Sequence, residues 1–199
     1  MQVKKDELYQ AILSNAEQEF FHKGFKGASL RQIAMLSGTT IGNLYHYFES
    51  KGALFEELVR DEYHGFMMLI ENHGTLESDE PVDINAKNIS EWRKILEAYI
   101  HQLSPLFTRR FYILLDSSAG TRYENTRADF IAFLEEHFNE HFKESHSHCA
   151  KELGGIIAEQ ILASLLAIVR DYEEPKKRIQ LITEVLLFTI IGVMGILEY

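Results

Sequence analysis

The sequence predicts an all-α protein of about nine helices, with a helix-turn-helix head followed by a larger helical body. Three observations lead there. Apolar residues recur at helical spacing along most of the 199 residues, and no stretch of useful length alternates as a strand would. Proline occurs only three times, at Pro81, Pro105 and Pro175, and glycine is sparse, so long helices are uninterrupted. Hydrophobic residues make up 46% of the chain, enough for a substantial core.

The elements follow in order. Residues 5–22 place Leu8, Ala11, Ile12, Ala16, Phe20 and Phe21 on one helical face, and Gly24 and Gly27 end the helix. Ser29 opens Ser-Leu-Arg-Gln, a capping box in which Gln32 is expected to reach back to the Ser29 backbone. That second helix closes at Ser37-Gly38. A third begins at Thr39 or Thr40 and ends by Glu49, and Ser50 caps a fourth that runs to about residue 71. Residues 72–88 mix Gly, Pro, Asn and acids without periodicity, which reads as a loop. Helical patterns resume at 89–103, 105–118, 122–145, 147–171 and 175–198. The expected domain boundary falls at 49/50, giving residues 1–49 and 50–199.

Charge divides the chain in the same way. The net charge is −10, yet residues 1–52 hold six Lys/Arg against five Asp/Glu, while the rest holds 14 against 25. Such a split suits a head that meets a polyanion and a body that does not. The single cysteine, Cys149, leaves no disulfide framework and suits a reducing cytoplasm. The stretch MQVKKDELYQ lacks the apolar region of an export signal. The apolar run Val185–Leu197, broken by Thr189 and two glycines, falls short of the ~20 residues that span a bilayer. No membrane role is expected.

Within residues 31–51 (RQIAMLSGTTIGNLYHYFESK) three positions set a helix–helix angle. Ala34 allows close approach, Gly38 sits at a turn that favours a left-handed backbone, and Leu44 points back to a core shared with Ile33 and Phe48. The exposed face of the second of these helices carries Thr40, Ile41, Gly42, Asn43, Tyr45 and His46. Gly42 in a first helical turn costs about 1 kcal/mol relative to alanine, which close approach to a base or phosphate would justify. Asn43 has the donor–acceptor pair that matches adenine, and Thr40 and Ile41 present methyl groups to thymine. Tyr45 and His46 suit phosphate oxygens. Lys51, a cation in the first turn of a helix, opposes the macrodipole unless it shares a phosphate with the helix amides. Tyr47 and Phe48 read as core. Jointly the face points to double-stranded operator DNA.

This segment resembles the tetracycline-repressor (TetR/AcrR-like) family of bacterial transcription regulators. The resemblance rests on Phe21, Gly24, Phe25, Ser29, Ile33-Ala34, Ser37-Gly38, Gly42 to Phe48, Lys51 and Leu54, and covers about 45 residues. It implies that Ser29 and Arg31 contact phosphate and a base, that Thr40, Ile41, Gly42 and Asn43 face bases, with Thr39 among the DNA-binding positions, and that Tyr45, His46 and Lys51 hold the backbone. One departure stands out, since Thr39 occupies a position usually taken by an apolar β-branched residue. The resemblance further implies a repressor released from DNA by a small molecule. The helix from Ser50 to about Glu71 would swing and change the spacing of two heads that must meet half-sites about 34–36 Å apart.

In the body, Ile156–Val169 and Ile179–Leu197 are apolar around most of their circumference. They call for burial on several sides, either by a second copy in a four-helix homodimer interface or within one subunit. His64, Met67, Trp92, Tyr99, Phe107, Phe111, Tyr112 and Tyr123, with Phe66 and Phe130, are candidates to line a site for a mainly apolar small-molecule effector, or are ordinary core. Residues 137–149 (HFNEHFKESHSHC) contain His137, Glu140 and His141 in the H-x-x-E-H order of some zinc peptidases. That pattern keeps open a metal-dependent enzyme or a ligand-binding bundle. A solvated helix end is the alternative, and no enzyme, metal or cofactor is expected.

Overall fold

The computed structural model describes residues 2–76, 88–142 and 150–197, with side chains described for 5–71, 88–140 and 152–195. Among these residues there are nine α-helices and no strand: α1 (Gln2–Gly27), α2 (Leu30–Leu36), α3 (Ile41–Leu44), α4 (Lys51–Leu76), α5 (Ile89–Leu103), α6 (Arg109–Asp116), α7 (Thr126–Phe142), α8 (Ala150–Asp171) and α9 (Pro175–Leu197). Pro105 starts a single 3-10 turn, Ser104–Leu106, and Pro175 opens α9, where a missing N–H costs nothing.

Two compact units emerge. The first comprises Met1–Phe66 and Arg109–Arg127, the second Met67–Thr108 and Ala128–Tyr199. Beyond the boundary expected at 49/50, the first unit also holds more than half of α4, together with α6 and the turns after it. In this first unit α1 packs on α2 and α6, and α2 packs on α3. Its core is Ile12, Ala16, Phe20, Ile33, Leu44, Leu54, Phe55 and Val59, all fully buried. Phe55 anchors it, with its ring 5.1 Å from Phe20, 5.4 Å from Phe25 and 6.3 Å from Tyr123. Arg110 donates to Glu17 at 2.9 Å, and the Phe25 amide donates to the Ser117 carbonyl at 2.8 Å. Neither link was visible in the sequence, because both join residues some 90 positions apart.

In the second unit α9 packs against α5 and α8. Asn88 caps α5 with a full reciprocal box, its side chain accepting from the Glu91 amide while Glu91 accepts from the Asn88 amide. Arg178 donates to the carbonyls of Tyr172, Phe107 and Val169, closing the turn between α8 and α9. Arg93 pairs with Glu184. Among the described residues, much of the terminal pair is left uncovered. A 21-residue window of α9 is only 22% buried, and a 20-residue window of α8 is 44% buried. Both helices are long and apolar enough, by length and composition, to cross a bilayer. The expectation of too short an apolar segment fails because Ile179, Leu181 and Ile182 extend the apolar character of α9 ahead of Val185, across Gln180, Thr183 and Glu184.

Candidate nucleic-acid interface

The head is assembled from local rules. Helix α1 is kinked at Gly24, whose φ of +66° departs from helical geometry, and after Gly27 a short connector leads to Ser29. Ser29 caps α2 by accepting from the Gln32 amide at 3.4 Å. The returning arm of the capping box is not Gln32. The Ser29 amide donates instead to Glu19 Oε1 at 3.1 Å, across from α1. Glu19 is 7% exposed and also accepts from Lys23 at 2.8 Å. Burial alone would raise its carboxyl, but the Lys23 and Ser29 hydrogen bonds outweigh that and hold it below the ordinary carboxylate value.

Helix α2 stops at Ser37, whose hydroxyl donates to the Ile33 carbonyl at 2.7 Å and accepts from Asn15 at 3.2 Å. Gly38 then takes φ +66°, and the Thr39 amide donates to the Ala34 carbonyl at 3.0 Å. Ala34 is buried between the two helices, as its size demanded. Thr40, with extended backbone, is the cap of α3 and accepts from the Asn43 amide at 3.1 Å. Thr39 is not the cap; its hydroxyl accepts from Asn43 Nδ2 at 2.8 Å. Helix α3 is shorter than expected. After Leu44 the amides of His46 and Tyr47 bond three residues back, to Asn43 and Leu44, and this tighter winding returns Phe48 to the core. Tyr9 closes the far side, its ring 5.4 Å from Phe48 and its hydroxyl donating to Glu57 at 2.5 Å.

The helix-turn-helix exposes one continuous face. Ser29, Arg31, Thr40, Gly42, Tyr45 and His46 are exposed, while Thr39, Ile41 and Asn43 are half-buried. Tyr45 is 49% exposed, although tyrosine usually finds cover. A Cβ on Gly42 would meet only Thr40 Oγ1, at 4.0 Å, so nothing within the chain requires glycine there. Lys51 is the exception to the face. Its ammonium donates to the carbonyls of Ala28 (3.1 Å) and Lys26 (3.3 Å) and lies 4.7 Å above the Phe25 ring. The cation expected on a phosphate thus also has backbone carbonyls of the connector within hydrogen-bond distance. Glu19, Asn15 and Tyr9 were not singled out from the sequence. Their roles depend on partners 10 to 48 residues away, and no local motif signals them.

The effector candidates do not form one described site. Four fall in the first unit: His64 is exposed, Phe111 and Tyr123 are buried, and Tyr112 donates to Asp116 at 2.8 Å with its ring 5.0 Å from Phe21. Tyr123 accepts from Arg122 at 2.7 Å and packs edge-on at 4.9 Å against Tyr63. Four fall in the second unit. Phe107 is buried, Met67, Trp92 and Tyr99 are half-buried, and burial raises the Tyr99 phenol above its ordinary value. Phe66, of the first unit, and Phe130, of the second, are buried as well. A groove of about 300 Å³ lies on α8 and α9, lined by Ile161, Leu181, Val185 and Phe188 among others, and contains none of these candidates.

No group of three His, Cys, Asp or Glu side chains among the described residues could hold a metal. His137 is half-buried with its ring 5.4 Å from Phe138, and Glu140 is exposed. The His141 side chain and residues 143–149, Cys149 included, lie outside the described residues.

Comparison with known proteins agrees with the head. The family described as bacterial regulatory proteins, tetR family, matches residues 12–58. The HTH-type transcriptional regulator RutR of Escherichia coli is 47% identical over 51 residues, 26% of this chain and 24% of that protein. The HTH-type transcriptional repressor KstR2 of Mycolicibacterium smegmatis is 40% identical over 58 residues, 29% of this chain and 26% of that protein. The chain thus spans less than a third of the length of the curated relatives it matches. The fold extends further. The crystal structure of AibR in complex with isovaleryl coenzyme A and operator DNA superposes with a TM-score of 0.51 over 92% of this chain and 97% of that one, at 18% identity. Similarity to the tetR family of bacterial regulatory proteins is thus carried by residues 12–58, and the likeness of fold extends over most of the chain.

Proposed function

We propose that this protein is a DNA-binding transcriptional regulator, a homodimeric repressor that a small molecule releases from its operator. One observation carries the reading: the helix-turn-helix of a matched regulatory family leaves Thr40, Gly42, Tyr45 and His46 uncovered on one face. In this reading Asn43, Thr40 and Ile41 meet base edges, and Tyr45, His46, Ser29 and Arg31 meet the phosphate backbone. Asn43 already gives one amide hydrogen to Thr39, which fixes its side chain and leaves the other hydrogen and the carbonyl for adenine.

The homodimer forms through α8 and α9, whose apolar faces the chain does not cover. The effector is largely apolar and binds in the second unit, near Trp92, Tyr99 and Phe107. Ligand binding shifts the population toward heads that no longer match two half-sites. The working location is the cytoplasm, where the DNA is, and the chain is not an enzyme. The relatives matched over the head are named as regulators, which supports this.

A duplex pool with a randomised centre tests it. Purified protein should enrich a two-fold symmetric sequence and bind it with strong salt dependence. Enrichment of nothing, or binding indifferent to sequence, would remove the reading.

A further inference from the structure

The connector between α1 and α2 is held in a way that neither the sequence pattern nor the DNA-reading role requires. Ala28 and Ser29 share one peptide group, the last before α2. Its carbonyl oxygen accepts from Lys51 Nζ at 3.1 Å, and its N–H donates to Glu19 Oε1 at 3.1 Å. The two charged groups arrive from different helices, Lys51 from the first turn of α4 and Glu19 from α1. A peptide group is planar, so holding its oxygen and its hydrogen together restricts how the whole unit can turn. The adjoining Ser29 then takes the extended φ of −112° and ψ of 115° from which its hydroxyl caps α2.

Both charges are themselves held. Lys23 donates to Glu19 Oε1 at 2.8 Å; Lys51 also donates to the Lys26 carbonyl at 3.3 Å and rests over the Phe25 ring. The arrangement also accounts for a lysine where the α4 macrodipole disfavours one, since carbonyl oxygens surround the ammonium.

We propose that Glu19 and Lys51 are positioning residues that clamp the Ala28–Ser29 peptide between opposite charges, and so set the orientation in which α2 and α3 are presented to DNA. The inference rests on the DNA-reading assignment but assigns Lys51 a different task from phosphate contact. A phosphate-bound lysine adds about 0.9 to the slope of log affinity against log salt, whereas a positioning residue changes affinity and leaves the slope alone. Glu19 supplies the sharper contrast. Removing an acid near a DNA-binding face should strengthen binding if only charge matters, and weaken it if the acid sets the geometry.

The test uses full-length wild type, Glu19→Gln and Lys51→Met on the duplex selected by the wild type, across a salt series. Both variants should bind about tenfold more weakly at every salt concentration, with slopes equal to that of the wild type. Glu19→Gln binding as well as or better than wild type, or Lys51→Met flattening the slope by about one unit, overturns the clamp. Amide NMR provides an arm independent of DNA: the Ser29 amide proton, bonded to a carboxylate, should move upfield in Glu19→Gln and shift in Lys51→Met while the other core amides stay in place. Should the wild type select no sequence, the DNA-reading assignment falls. The clamp itself then stands or falls on that Ser29 signal, and an unmoved Ser29 amide refutes it.

Discussion

Phe55 and Phe188 are the same side chain in opposite circumstances. Phe55, in the head, is fully buried among Phe20, Phe25 and Tyr123, whereas Phe188, on α9, is 72% exposed. The head completes its core within one chain. The α8–α9 pair does not, for Ile156 is 61% and Ile191 41% exposed beside Phe188 on helices apolar enough to span a bilayer. The more apolar region is thus the less buried one. Hydrophobic content tells how much surface must leave water; it does not say whether the chain itself supplies the cover.

The comparison breaks most readily at the phenylalanines. Phe55→Ala should destabilise the head by about 3–5 kcal/mol through lost transfer energy and an unfilled cavity, read as a lower denaturant midpoint. An unchanged midpoint would mean that the head is not the self-contained core described here. Phe188→Glu should leave the fold of each chain intact by circular dichroism. It should weaken self-association by about 2–4 kcal/mol, seen as monomer in sedimentation equilibrium. A variant that still sediments as a dimer would place the interface elsewhere.

Within the head the expected effects are smaller and more selective. Asn43→Ala should lose about 1–3 kcal/mol of discrimination at particular base pairs, while Tyr45→Ala weakens all sequences alike. Binding profiles over a duplex library distinguish the two, and identical profiles would contradict the assigned roles. The smallest effect is acid sensitivity. Glu19 ionises more readily folded than unfolded, so its contribution is complete above the ordinary carboxylate value near 4.5 and fades as pH falls through its lower folded value. From about pH 6 to about pH 3 the wild type should lose thermal stability more steeply than Glu19→Gln, and parallel curves would deny the shift.

The sequence disclosed whatever depended on neighbours in the chain. Helical periodicity located nine helices, Ala34 and Gly38 marked the crossing, and Pro175 marked the start of α9 to the residue. Motif arguments failed where a partner came from afar. Gln32 was the local choice to answer Ser29, but Glu19 lies nearer in space, and Lys51 meets carbonyls from residues 23 and 25 positions earlier. The membership of residues 109–127 in the first unit has the same origin, since nothing in them announces that Arg110 will meet Glu17 or that Tyr123 will sit beside Phe55. The effector candidates are aromatic and other bulky side chains of the middle helices, a character shared by pocket and core.

Gly38 has a stereochemical consequence. Its φ is +66°, yet a Cβ built there would find nothing within 4 Å. The turn therefore selects by handedness rather than by room. An L-alanine would carry a left-handed penalty of about 1–2 kcal/mol with no clash to blame. Its mirror image, D-alanine introduced by chemical synthesis, would adopt the same torsion as its own preferred one and narrow the unfolded ensemble besides. A single inverted stereocentre should leave the two helices crossing as they do now, on a stiffer hinge than any genetically encoded residue can provide.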